Sequence, residues 1–275
     1  MNKLEAFKMD GLGNDFIIFD KREKSFSLTR DQIIKISDRK SIGCDQVIFI
    51  EKDEQNDANL KFFNSDGGEI SACGNGSRCV AYLLMQENNK KKISLKTKAG
   101  NLQAELDDKN LVTINMGTPN FKWDKIPLSK EMDNKNLKIK INNVNGKEFI
   151  GGFSLGIGNP HVVFFVDEIN KFNIKEIGPK IENHDYFPEK CNVTLASIRN
   201  KKHIDVKVWE RGAGLTKACG TAACATAVSG AILNLNEKCV DIKFQKGTLN
   251  INWRENNNIY MKGKVSEIKK IDISI

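Results

Sequence analysis

Residues 70–79 read Ile-Ser-Ala-Cys-Gly-Asn-Gly-Ser-Arg-Cys, and residues 216–224 read Thr-Lys-Ala-Cys-Gly-Thr-Ala-Ala-Cys. The shared Ala-Cys-Gly places Cys73 and Cys219 146 positions apart. A single tripeptide can repeat by chance, so the same offset is sought elsewhere. Leu12-Gly13-Asn14-Asp15-Phe16-Ile17-Ile18-Phe19 aligns with Ile157-Gly158-Asn159-Pro160-His161-Val162-Val163-Phe164 at 145. Asp45-Gln46-Val47 falls on Cys191-Asn192-Val193, and Phe63-Asn64 on Trp209-Glu210, both at 146. Ile93-Ser94-Leu95-Lys96 matches Val240-Asp241-Ile242-Lys243 at 147, and Met116-Gly117 meets Lys262-Gly263. Blocks in one order at nearly one offset mean two copies of one unit.

The expected boundaries are residues 1–118 for the first unit and 119–263 for the second. Residues 264–275 then form a C-terminal strand able to pack back on the first unit. The linker lies near Gly117-Thr118-Pro119. Lys122–Gly146 has no counterpart in the first unit and reads as connecting strands and loops.

Each copy carries short runs of strand-forming residues: Phe16–Asp20, Val47–Glu51, Leu60–Asn64, Ile93–Thr97, Leu102–Leu106 and Val112–Asn115 in the first. Gly, Asn and Asp punctuate them, as in antiparallel hairpins. After each Ala-Cys-Gly comes an Ala- and Leu- or Val-rich stretch, Ser77–Glu87 and Ala222–Leu233, with helical character. Another helix is predicted over Thr29–Arg39 with Thr29 as its N-cap. Many strands around one apolar helix predict an α+β fold. Its two pseudo-symmetric domains are each an antiparallel β-barrel-like sheet wrapped around a central helix.

Composition narrows the function classes. The 275 residues are 40% hydrophobic and 28% charged, as in a globular protein that needs no staple to build its core. No uncharged stretch is long enough for a membrane span, and Met1-Asn2-Lys3-Leu4-Glu5 lacks an apolar signal core, so a cytoplasmic location is expected. The net charge is +8, but lysines are scattered through Asn-rich turns such as Asn88–Lys92, and only 8% of residues are aromatic. That distribution marks a solvated surface, and neither nucleic acid nor membrane is an expected partner.

Seven cysteines occur with no Cys-x-x-Cys pair. Without an export signal they are expected as thiols, and the spacings do not suit zinc, so no metal is expected. Cys44, Cys79, Cys191, Cys224 and Cys239 read as small buried hydrophobes. Cys73 and Cys219 differ, because each sits immediately before a helix. There a thiol meets free backbone N–H groups and the positive helix end, which lower its pKa. The N–H groups of Gly74-Asn75 and Gly220-Thr221 suit a carboxylate. Asn14 and Asn159, Gln46 and Asn192, and Asn64 and Glu210 are polar in both copies beside apolar strands. Polar residues at strand ends are commonly just solvated. If the copies face one another, however, these residues converge with the two thiols. Two thiols on opposite sides of a held carboxylate can take a Cα proton from one face and return one to the other, inverting the centre.

On these residues the chain resembles the diaminopimelate epimerases, cofactor-independent enzymes of lysine and peptidoglycan-precursor synthesis. The resemblance is carried by Gly11–Phe16, Gly43-Cys44-Asp45-Gln46, Phe63–Gly67 and Ala72–Gly76. It continues through Gly158-Asn159-Pro160-His161, Trp209-Glu210-Arg211-Gly212 and Ala218-Cys219-Gly220-Thr221. It implies that Cys73 and Cys219 form a thiolate and thiol pair acting without a cofactor. His161 and Glu210 would tune their protonation. It further implies that Gly74, Asn75, Gly220 and Thr221 hold the α-carboxylate. Asn14, Gln46, Asn64, Asn159, Asn192, Glu210 and Arg211 would grip the amino groups and distal carboxylate. A guanidinium fork suits that carboxylate. A homodimer is implied as well. Leu215 stands where the family commonly has Glu, Ala222 where it has Gly, and Ser77 where it has Ala. The segment Lys262-Gly263-Lys264-Val265 lacks the family's usual proline.

Three other readings compete. A proline racemase-like enzyme would share the cysteine pair, but the Asn, Gln and Arg set suits a longer, twice-charged substrate. A thiol-redox protein is disfavoured by the wide separation of Cys73 and Cys219. A two-lobed amino-acid binder would keep its affinity without thiols.

Overall fold

A computed structural model describes residues 3–274; Met1 and Asn2 of the mixed-charge opening, and Ile275, lie outside the described residues. The chain forms two compact units. One runs through Asn115 and takes in the chain again from Lys262, and the other is Met116–Met261.

In the first unit β1 (Lys3–Gly11) and β2 (Asn14–Asp20) form a hairpin. Leu12 and Gly13 both have positive φ, at 64° and 79°, as a two-residue turn matched to strand twist requires. Asp10 Oδ1 accepts the Gly13 N–H at 2.9 Å, closing the turn and setting Asn14 at the start of β2. Helix α1 (Arg30–Ser37) follows, then β3 (Gln46–Glu51), β4 (Ala58–Asn64) and the short β5 (Glu69–Ile70). Helix α2 (Gly74–Asn88) leads to β6 (Lys92–Thr97), β7 (Gly100–Asp108) and β8 (Leu111–Asn115). The strand Lys269–Ser274 pairs with the outer side of β1. Helix α2 packs against β1, β2, β6, β7 and β8, so the sheet curls around it.

The second unit opens with the hairpin β9 (Ile139–Asn142) and β10 (Glu148–Gly151). It then repeats the first unit's order: β11 (Phe153–Gly156), β12 (Pro160–Phe165), α3 (Ile174–Glu182), β13 (Asn192–Asn200), β14 (His203–Glu210) and β15 (Gly214–Thr216). Helix α4 (Gly220–Ile232), β16 (Cys239–Phe244) and β17 (Gly247–Trp253) follow, and then β18 (Ile259–Lys264), of which residues up to Met261 belong to this unit. Helix α4 packs against β11, β12, β13, β16 and β17.

Not every neighbour is antiparallel. The pairs β2–β3 and β4–β6 run parallel in the first unit, as do β12–β13 and β14–β16 in the second. Parallel neighbours need a crossover, and a helix supplies it each time: α1 and α3 outside, α2 and α4 inside. Strand-forming runs and turn residues identify strands but not this order.

The outer helices add a second layer. Ile33 and Ile36 of α1 pack with Phe19, Val47 and Phe49. Ile174, Ile177 and Ile181 of α3 pack with Val162, Phe164, Val193 and Leu195, joined by Leu137, Ile139 and Ile141 from the segment absent in the first unit. Helix α1 starts as its sequence predicts: the Thr29 hydroxyl accepts from Gln32 N, and Gln32 reaches back to the Thr29 N–H.

The inner helices begin earlier than helix-forming residues alone suggest, at Gly74 and Gly220, with Cys73 and Cys219 as N-caps. Two glycines in a first turn are unfavourable in isolation. Here packing decides. A Cβ on Gly76 would lie 2.8 Å from Ile48 Cδ1 and 3.1 Å from Phe62, so only glycine lets the helix start sit this deep.

Candidate active site

In the first unit Cys73 closes the N-terminus of α2, and its sulfur accepts the Gly76 N–H at 3.4 Å. The same sulfur lies 3.8 Å from Asn14 Oδ1. Asn14 is held from behind: its Nδ2 donates to Asp45 Oδ2 at 3.0 Å. Asp45 also accepts the Asp15 N–H, and Arg39 bridges Asp15 and Asp45. Burial would raise the Asp15 carboxyl, but Arg39 and Lys8 outweigh it and hold it below its ordinary range. Gln46 and Asn64 face one another across β3 and β4, with Gln46 Nε2 donating to Asn64 Oδ1 at 3.0 Å. Gly74 is half-buried and Asn75 buried in the first turn of α2. Thus Asn14, Cys73 and the helix start form one group, and Gln46 with Asn64 a hydrogen-bonded pair. Asp45 lies in a repeated block, but its counterpart is Cys191, so the repeat by itself does not mark it as part of the site.

In the second unit Cys219 occupies the equivalent N-cap and is 6% exposed. Its sulfur lies 3.5 Å from the Thr221 hydroxyl. The expected lowering of thiol pKa at a helix start does not hold here. Burial, then the Glu210 carboxylate, push the Cys219 thiol well above its ordinary value, against the opposing pull of Thr221 and the Ala222 N–H. Free amides are worth less than the desolvation of a charge at this buried position. Glu210 is hydrogen-bonded by the Thr216 hydroxyl across the β14–β15 turn.

His161 is fully buried on β12, opposite Asn192 of β13. Its Nε2 lies 2.8 Å from Asn159 Oδ1. Burial, with the Arg211 charge adding to it, pushes the imidazole down to about 3, so it is neutral at neutral pH. Asn192 Nδ2 donates to the Pro160 carbonyl at 2.9 Å, while its Oδ1 accepts the Arg211 N–H at 3.0 Å. Arg211 is exposed on the turn, and its Nη1 donates to the Glu189 carbonyl at 2.9 Å. His161 and Asn159 thus form one hydrogen-bonded pair, and Asn192 ties the Pro160 carbonyl to the Arg211 N–H. Glu182 of α3, outside every repeated block, is also tied to this turn. With no partner in the first copy, a search by repeats has no means to flag it.

The remaining cysteines divide. Cys44, Cys79, Cys191 and Cys224 are buried as expected, and burial raises the thiols of Cys44, Cys79 and Cys191. Cys239 is exposed, contrary to the sequence reading. On β16 exposure follows strand alternation: Val240 points inward and Cys239 does not. Among the described residues no group of three His, Cys, Asp or Glu side chains is placed to hold a metal ion.

The family model described as diaminopimelate epimerase matches residues 6–122 and 153–268, one stretch for each copy. A diaminopimelate epimerase from Pelagibacter ubique is 58% identical, covering 99% of both chains. One from Caulobacter sp. (strain K31) is 41% identical over 94% of this chain and 93% of that one. Among solved structures, a PhzF-family phenazine biosynthesis protein from Bacillus anthracis superposes with a TM-score of 0.70 at 17% identity, covering 100% of both chains. A hydroxyproline epimerase from Agrobacterium vitis gives 0.66 at 13% identity, covering 99% of this chain and 92% of that one. These last two share the fold. The chain belongs to the diaminopimelate epimerase family of isomerases.

Proposed function

We propose that this protein interconverts LL- and meso-2,6-diaminopimelate without a cofactor, in lysine and peptidoglycan-precursor synthesis, through Cys73 and Cys219. The observation that carries the reading is that the duplicated unit sets a cysteine at the N-cap of its buried helix twice. One thiolate removes the Cα proton, and the opposing thiol delivers its own proton to the other face. The carbon is inverted and the two sulfurs exchange protonation. Burial and the Glu210 carboxylate, which raise the Cys219 thiol, support its holding a proton that it can deliver.

The backbone N–H groups of Gly74 and Asn75, and of Gly220 and Thr221, are the donors for the α-carboxylate. Aimed at charge that grows during proton removal, each such donor supplies roughly 3 kcal/mol in a dry site. Asn14, Gln46, Asn64, Asn159, Asn192 and Glu210 orient the amino groups, and Arg211 holds the distal carboxylate. His161, neutral and buried, and Glu210 set the electrostatic surroundings of the thiols. Among the described residues no helix is long and apolar enough to cross a membrane. A cytoplasmic homodimer fits the reading.

LL-diaminopimelate in deuterated buffer with reductant, followed by NMR, tests it. Conversion to the meso isomer with deuterium at the inverted Cα is expected, and loss of turnover in both Cys73→Ala and Cys219→Ala. Substrate affinity without turnover in the wild-type protein would reduce it to a binder. Turnover only of a cyclic amino acid would move the substrate to the proline racemase type.

A further inference from the structure

A buried carboxylate outside the repeated blocks is hydrogen-bonded to the turn that carries Glu210 and Arg211. Glu182 ends α3 and is 6% exposed. Its Oε2 accepts the Trp209 indole N–H at 2.7 Å, and its Oε1 accepts the Gly212 backbone N–H at 2.8 Å. Those donors bracket Glu210 and Arg211 on either side. One helical turn earlier, Gly178 makes room for the indole: a Cβ there would lie 2.4 Å from Trp209 Cγ. Trp209 thus lies against α3, and strand alternation sends Glu210 to the opposite face of β14, beside Cys219. The turn is pinned again by Asn192 on the Arg211 N–H and by the Glu189 carbonyl on Arg211 Nη1.

We infer that Glu182 is a positioning residue for substrate selection, holding the Trp209–Gly212 turn so that Arg211 meets the distal carboxylate of a dicarboxylic amino acid. The inference rests on the proposed function. Only a carboxylate offers two acceptors to these two donors. Glutamine offers one acceptor and one donor, so one bond must be lost. A charge buried merely to stabilise the fold would be a poor choice, since apolar groups of equal volume do that as well.

The test is steady-state kinetics with LL-diaminopimelate on the wild-type protein, Glu182→Gln and Trp209→Phe, with thermal midpoints measured alongside. For Glu182→Gln a KM rise of about tenfold is expected, with kcat within about twofold, because an interaction acting through substrate binding appears in KM. For Trp209→Phe, which leaves the Gly212 bond, a smaller KM rise is expected. A lowered midpoint with KM unchanged would make Glu182 purely structural and overturn the inference. If Glu182→Gln does not fold, Trp209→Phe decides by the same criterion. A wild-type protein inactive on diaminopimelate would overturn the proposed function itself, and this inference with it.

Discussion

His161 Nε2 stands 2.8 Å from Asn159 Oδ1, while His161 Nδ1 is buried without a hydrogen-bond partner among the described residues. The ring therefore donates through Nε2 and stays neutral. Its folded pKa, about 3, lies below the ordinary 6.5, so between those values the unfolded chain binds the extra proton. Stability from the neutral ring is complete above pH 6.5 and is lost as pH falls toward 3, at up to about 1.4 kcal/mol per pH unit. Urea unfolding at pH 7 and pH 5 should show a larger loss in the wild-type protein than in His161→Gln. Equal losses would mean that the imidazole takes up its proton in the folded state.

Ser77, where the family commonly has alanine, is fully buried in α2 and its hydroxyl has no hydrogen-bond partner among the described residues. In α4 the equivalent problem is solved, because Thr226 and Ser229 donate to the carbonyls of Ala222 and Ala225. Ser77→Ala removes an unsatisfied hydroxyl and improves helix propensity. It should raise unfolding stability by about 1 kcal/mol. A lowered urea midpoint would show that the hydroxyl is in fact satisfied.

Cysteine accessibility gives a third expectation. Brief iodoacetamide treatment of the native protein should label the exposed Cys239 well before the buried cysteines, since alkylation needs an accessible sulfur. Cys79 and Cys191, buried and with raised thiol pKa values, should react only after denaturation. Mass spectrometry of tryptic peptides reads the order directly, and early labelling of Cys79 would contradict its buried position.

Gly178→Ala places a methyl group where the Trp209 ring lies, at 2.4 Å. The ring cannot yield without moving β14 or losing its bond to Glu182. A loss of about 1–3 kcal/mol is expected from overpacking, visible as a lower urea midpoint with blue- or red-shifted tryptophan emission. No change in either would mean that the indole does not rest on α3.

The duplication, the α+β class and the helix after each Ala-Cys-Gly were legible because each is periodic or repeated. The Thr29 cap was legible because a capping box is local. Repeats also led to Asn14, Gln46, Asn192 and Glu210, each with a counterpart at one offset. They could not lead to Asp45 or Glu182, whose contacts come from elements distant in the chain. The exposure of Cys239 follows from strand phase on β16, which residue type alone does not carry.

By itself the sequence determined that one unit occurs twice, and that a cysteine precedes the apolar helix in each. Local chemistry and pattern suffice for that. Tertiary structure alone decided that β4 and β6, and β14 and β16, pair in parallel, the neutral state of His161, and the raised pKa of the Cys219 thiol. Those depend on desolvation and on charges such as Glu210 and Arg211, which distance in space sets and distance along the chain does not.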